Sequence, residues 1–481
     1  MSVAKTVFTN TGYIVAGNFF NKLISLVILS FLTHYLSVTD FGKLSFAIFY
    51  ITFFGVFTDL GLNTVLVREC SRHPEMASRL LGNGILIRLT YTFLSALVSY
   101  LLIVIMDYPS DIRLLVYIAA IMLFISFRGI FFRQVFEVAF QVRLKMGYPS
   151  VINVLNELLT LGAVVAVIVM QGTLLQIVLA MTLASLPGFL AVAYYSVKLI
   201  RPAFKIDWDL SREMVKEALP VGVSGFLESL FIMLPVIMLS KLADDTAVGH
   251  YSLAFRLASS LWIIPTAFMM ALFPFMSQYA KGSHEELKKA CLSGLKYMAL
   301  LAIPMAVLVT SLAPLIIRLI SGSAYESAAF ALQFLIWGTA LYFLNTVFFN
   351  TFNAANLQRK NLLVWGIISG CTLFLTIALI PYFQFKGAAI AAFISLLAGF
   401  FAYVYIAMRM LFIDPWNLFL KCTTAGIMME LIVMLTKDSY LIIGSVFAIG
   451  LYIFTLIFLH VLSEEDYTII RGLYARSARQ F

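Results

Sequence analysis

The sequence predicts an all-α, polytopic membrane protein of about 14 transmembrane helices: two six-helix lobes related by a parallel repeat, followed by two further C-terminal helices. Three observations predict it. Of 481 residues, 62% are hydrophobic and 12% charged, with a mean hydropathy of +0.97; average globular domains are about 45–50% apolar and 25% charged. Apolar runs long enough to cross a hydrocarbon core of about 30 Å recur along the whole chain. The basic residues then alternate from one polar break to the next.

The runs cover 10–35, 43–67, 80–106, 114–139, 149–170, 173–199, 218–240, 246–277, 296–320, 327–353, 361–380, 386–411, 416–436 and 440–462. Proline interrupts several of them (Pro187, Pro235, Pro265, Pro274, Pro304, Pro314), which membrane helices tolerate as kinks. With Met1 in the cytoplasm, 22 of the 33 Lys and Arg fall in cytoplasmic segments. Outer segments hold Lys43, Arg113, Lys241, Arg318, Lys386 and Lys437, and Lys22, Arg88, Arg128, Arg133 and Arg256 lie within helices. This asymmetry is the positive-inside rule: it places the chain in the cytoplasmic membrane with both termini inside. The net charge of +9 therefore reports topology, and nucleic acid is no partner.

The chain divides into an N-terminal lobe at 1–200, a cytoplasmic amphipathic linker at 201–217, a second lobe at 218–411, two additional helices at 412–462 and a cytoplasmic tail at 463–481. Residues 200–217 and 281–295 read as interfacial amphipathic helices. The first apolar run follows a single basic residue, Lys5, and has no small-residue cleavage site, so it reads as an uncleaved helix. Cys70, Cys291, Cys371 and Cys422 show no paired spacing and read as free thiols, with no disulfide, metal or cofactor framework.

The repeat is visible in two places. LTHYLSVTDFGKLSFA (32–47) aligns without a gap on LSKLADDTAVGHYSLA (239–254), with Leu32/Leu239, Thr39/Thr246, Gly42/Gly249, Ser45/Ser252 and Ala47/Ala254 identical. Phe136, Ala139 and Arg143 match Phe352, Ala355 and Arg359 at the inner end of the fourth helix of each half. Six is even, so both copies share one orientation, and such paired bundles place the substrate between them near the midplane.

Polar residues inside the runs form stripes at helical spacing. They are Thr11, Asn18, Lys22 and Ser25 on the first helix, Ser45, Thr52 and Asp59 on the second, and Asn153, Glu157 and Thr160 on the fifth. The seventh carries Ser224 and Glu228, and the eighth Ser252, Arg256 and Ser259. A charge near the midplane costs several kcal/mol if it faces lipid, so these residues face a cavity or one another. Either they line a polar path, or they pair and lock helices together. Lys22 and Arg256, one in each half, are the better contacts for an anionic head group, since Arg offers a fork and Lys a compact charge. Arg88 and Arg128 lie in the inner half and are placed to snorkel toward the cytoplasm. Arg133 and Glu137, four apart, are placed to satisfy each other. Asn18, Ser25, Ser252 and Ser259 are expected to line the cavity, and Glu157 and Glu228 are the candidates for coupling to an ion.

HYLSVTDFGKLSFA (34–47), FTDLGLNTVLVRE (57–69) and GAAIAA (387–392) resemble polysaccharide flippases, the Wzx-type branch of the multidrug/oligosaccharidyl-lipid/polysaccharide exporter superfamily. The resemblance implies a V-shaped pair of lobes and alternating access. It also implies transfer of a polyprenyl-(pyro)phosphate-linked oligosaccharide from the inner to the outer leaflet. The partners it implies are that substrate, membrane lipid, H⁺ or Na⁺, and other polysaccharide assembly proteins. Related lipid II flippases hold pyrophosphate with basic residues on the first and eighth helices, which carries over to Lys22 and Arg256 by helix, without a shared motif. Residues 10–39 contain no acid, unlike the first helix of many cation-coupled multidrug exporters. That departure counts against a cation-coupled multidrug or small-solute antiporter on the same fold, the alternative transport reading. A membrane glycan polymerase or glycosyltransferase would be expected to carry larger outer loops, and HExxH, GxSxG, Walker and dinucleotide-turn motifs are absent. The chain therefore reads as a non-enzyme. A scaffold for a glycan assembly complex is the remaining reading.

Overall fold

Helix follows helix through the computed structural model, which describes residues 3–282, 284–436 and 441–461, with no strand among them. The expected tail at 463–481 and the turn at 437–440 lie outside the described residues. Among the described residues eleven helices are long and apolar enough to cross a membrane, and the expected fourteen crossings account for them. The 54-residue helix Gln358–Leu411 holds two crossings, folded back at Gln384, where φ 49° and ψ −129° leave the helical region. A short apolar helix, Gly444–Phe458, forms part of the last, and the stretch 110–142 is a crossing broken in its middle. In order, spans 1 to 14 are Val3–Tyr35, Val38–Arg72, Ala77–Ile105, 110–142, Gly147–Val169, Leu174–Leu199, Trp208–Leu242, Asp245–Ala280, His284–Ser321, Ala328–Ala354, 358–383, 385–411, Trp416–Thr436 and Leu441–Phe458. Helices dominate because inside lipid each backbone polar group must find its partner within the protein. The protein is a multi-pass membrane protein.

Span 1 packs on span 5, span 7 along spans 11 and 12, and span 9 against spans 10 and 13. The face where span 1 begins is called the terminal face below. At the opposite face spans 2 and 8 cross, and here the repeat becomes three-dimensional. Ser37 caps span 2 by accepting from the Asp40 amide at 3.1 Å, and Asp244 caps span 8 by accepting from the Ala247 amide at 2.6 Å. The hydroxyls of Thr39 and Thr246, 207 residues apart, hydrogen bond at 3.0 Å. A methyl group on Gly42 would overlap the Asp245 carbonyl, and one on Gly249 the Val38 carbonyl. Position i meets j as j meets i, the signature of a two-fold interface, here written within one chain.

The linker differs from expectation. Residues 201–207 are not helical, and the helix that starts at Trp208 runs without interruption to Leu242. The amphipathic character read from 200–217 is split between an extended strap and the first turns of span 7. The strap stays extended because span 3 satisfies its backbone: Ala203 donates to the Ser78 carbonyl at 2.9 Å. The Asn83 amide donates to Lys205 O at 3.1 Å while its oxygen accepts from the Asp207 amide at 2.9 Å. Asp207 then caps span 7 and pairs with Arg79 at 2.7 Å. Asp207 and Asp209 have the spacing of a sugar-nucleotide DxD pair, but Asp207 is committed to these structural bonds. The second amphipathic stretch is likewise continuous with span 9 from His284 onward.

Candidate binding cavity between the lobes

The local event that builds the site is the break in span 4. The helix stops at Ile125 and resumes as a 3₁₀ turn at Phe132. Backbone groups freed at membrane depth must be re-satisfied inside the protein, and side chains do so. Thr58 donates to Ile130 O at 2.9 Å, Arg88 to Phe131 O at 2.8 Å, and Ser126 accepts from the Arg128 amide at 3.2 Å.

The break aims Arg128 at the seam between the lobes. Its Nε and Nη2 both donate to Glu157 Oε2, at 3.0 and 2.8 Å, and Glu157, on span 5, is 3% exposed. Arg256 enters from span 8, its guanidinium 5.8 Å from the ring centres of both Phe41 and Phe49. Its Nε is buried without a hydrogen-bond partner. Ser25, Thr52, Ser126, Arg128, Glu157 and Arg256 line a cavity of about 80 Å³, room for several waters. Lys22 is exposed and lies within electrostatic reach of Arg256 and Glu157. Three basic side chains against one acid leave an excess of positive charge where the two lobes meet, and the unpaired Arg256 Nε is a donor awaiting an acceptor.

Other expected site residues lie elsewhere. Arg88 does not snorkel: it is 0% exposed, bonded to Phe131 O, 3.4 Å from Gln134 Oε1 and 3.3 Å from Asp59. It holds the span 4 break instead of reaching a substrate. Arg133 and Glu137 do not pair directly, because Arg133 sits in the 3₁₀ turn before the helix resumes. Arg133 donates to Asn153 at 2.5 Å and Glu137 also hydrogen bonds Asn153. Asn18 is exposed. Ser252 is fully buried, as is its repeat partner Ser45. Ser259 lines a small crevice inside the second lobe with Phe231 and Trp262, its hydroxyl turned to Arg256 O at 3.4 Å. Glu228 faces a separate, larger cavity of the second lobe. Sequence reasoning missed Ser126 and the break itself; its one mark was Gly129 beside Arg128 inside an apolar run.

Among the described residues, fourteen spans in two repeated lobes with a charged cavity at their seam have the architecture of the multidrug/oligosaccharidyl-lipid/polysaccharide exporter superfamily. The sequence profile of the polysaccharide biosynthesis protein family matches residues 7–280, more than half of the chain, and the chain belongs to that family. The MatE profile matches residues 220–379. An uncharacterized membrane protein of Methanocaldococcus jannaschii is 23% identical over 392 residues, 75% of this chain and 77% of that protein. Among solved structures, the lipid II flippase MurJ in an inward closed conformation superimposes with TM-score 0.77 at 15% identity, covering 92% of this chain and 98% of that one. An inward-facing multidrug resistance MATE transporter gives 0.62 at 16% identity, covering 81% and 94%. A superfamily transporter from Pyrococcus furiosus with a binding pocket of reverse polarity gives 0.56 at 15%, covering 84% and 96%. These structures share the fold, and the proteins they represent are transporters and flippases.

Proposed function

We propose that the protein is a flippase that moves a polyprenyl-(pyro)phosphate-linked oligosaccharide from the inner to the outer leaflet of the cytoplasmic membrane by alternating access. The observation that carries this reading is the cavity that Arg128 of one lobe and Arg256 of the other line together with Glu157, with Lys22 within electrostatic reach of Arg256 and Glu157. A pyrophosphate diester brings the two negative charges that the positive excess there lacks. Substrate phosphate and Glu157 compete for the Arg128 fork, so binding displaces a resident carboxylate. The polyprenyl tail stays in lipid while the head crosses the shielded seam.

The distribution of Lys and Arg supports a cytoplasmic terminal face. With that orientation an inside-negative potential favours outward movement of an anion by about 2.3 kcal/mol per charge per 100 mV. An exchanged H⁺ or Na⁺ has two carboxylates to use, Glu157 at the anion site and Glu228 in the second lobe.

The test is reconstitution in liposomes with a fluorescent polyprenyl pyrophosphate oligosaccharide, following loss of the inner-leaflet probe with and without an imposed potential. Lys22→Ala and Arg256→Ala are each expected to abolish protein-dependent translocation while folding is retained. Translocation that ignores both substitutions would remove the anion site from the mechanism. A drug or cation gradient dissipated in place of lipid movement would transfer the protein to the antiporter reading.

A further inference from the structure

The second lobe carries a partly open cavity of about 370 Å³ whose lining comes from spans 7, 8, 10, 11 and 12. Thr266 and Thr346 give their hydroxyl hydrogens to the carbonyls of Trp262 and Tyr342. Asn345 and Asn350 each give an amide hydrogen to a carbonyl, of Leu396 and Thr346. What remains for the space is a carboxylate, an amide oxygen and a hydroxyl that can donate or accept. The Glu228 carboxylate has no ion pair among the described residues. The Asn345 amide oxygen and the Tyr403 hydroxyl are buried without a hydrogen-bond partner, in side chains 5% and 1% exposed.

A mostly apolar wall that carries one carboxylate disfavours anions, while the Asn345 oxygen and Tyr403 hydroxyl offer hydrogen bonds to a neutral polar group. A single metal ion with one carboxylate would leave most of this volume empty, since a water occupies about 30 Å³. Trp365, Tyr342 and Phe349 add flat apolar surfaces. A pyranose ring presents both complements at once, hydroxyls round its edge and a C–H face for an aromatic ring. The position fits too: Thr266 follows Arg256 on span 8 by ten residues, past the turn at Leu261 and Trp262 that separates the helices Asp245–Ser260 and Ile263–Gly282, toward the terminal face.

We propose that this cavity is a sugar subsite, holding a pyranose unit near the pyrophosphate end of the substrate. Glu228, Asn345 and Tyr403 take its hydroxyl hydrogens and Trp365 stacks on its apolar face. The subsite rests on the flippase reading and deepens it: the seam recognises the charge every such substrate shares, and the second lobe reads the sugar.

The experiment titrates the full-length protein in nanodiscs with geranyl pyrophosphate and with its glucose, galactose, mannose and N-acetylglucosamine conjugates. At least one conjugate is expected to bind about tenfold tighter than the bare pyrophosphate. Glu228→Gln and Tyr403→Phe, conservative changes that each remove one contact, should erase that gain and leave bare pyrophosphate binding unchanged. Arg256→Ala should weaken every probe alike, and Trp365→Phe should remove a sugar-dependent change in intrinsic fluorescence. If bare pyrophosphate binds through Arg256 and no sugar adds affinity, the subsite falls and the anion site stands. A sugar gain that survives both Glu228→Gln and Tyr403→Phe also overturns the subsite. If no probe binds at all, the flippase reading falls and takes the subsite with it.

Discussion

The two lobes share one helical repeat and fill it in opposite ways. In the first, Arg88, Arg128 and Arg133 are set against Asp59, Glu157 and Asn153, and span 4 breaks to make room for them. In the second, the counterpart span 10 runs unbroken from Ala328 to Ala354, and Glu228 stands beside a cavity of about 370 Å³. Charge at membrane depth demands partners, and partners demand distorted backbone, so the first lobe becomes a fixed ionic frame that presents Arg128 at the seam. Volume without a charge network needs no such frame. The second lobe can hold a space whose contents vary.

The contrast can be broken by substitution. Arg88→Leu should cost about 3–5 kcal/mol, because it strands Asp59 and the Phe131 carbonyl, whereas Glu228→Gln should leave stability unchanged or raised. Thermal unfolding in detergent compares the two, and equal losses would erase the distinction. At the pseudo-symmetric crossing, Gly42→Leu should cost about 1–3 kcal/mol by overpacking. It should also abolish a disulfide otherwise formed between Thr39→Cys and Thr246→Cys, as read by gel mobility. Glu157→Gln releases Arg128 and should tighten geranyl pyrophosphate about threefold to tenfold, while Arg128→Ala should weaken it; matched titrations decide the sign. The smallest effect is expected for Thr39→Ala, about 0.5–1 kcal/mol, and Thr246→Ala should match it if the seam is two-fold.

Span number and the repeat were legible because both are written locally, as apolar length and as identities such as Gly42/Gly249. Charges were legible as deep, but their partners were not. Arg133 and Glu137 have helical spacing, yet the chain between them is not a regular α-helix, so spacing alone misplaced them. Arg88 has a long enough stem to reach the interface, and the exposed carbonyl of a broken neighbour held it inside. The larger cavity left no trace in the sequence, since a void is the remainder of side-chain volumes summed over five helices. Asn345 and Tyr403 look, residue by residue, like ordinary packing positions.

The strap at 201–207 has a consequence for how the molecule is made. Its backbone is held by Ser78 and Asn83 of span 3, which leaves the ribosome well before span 7. The first turn of the second lobe therefore emerges beside a docking place that already exists, and it is capped there by Asp207. The covalent link between the halves is short and bound down, which restricts the orientations open to the second bundle as it is made.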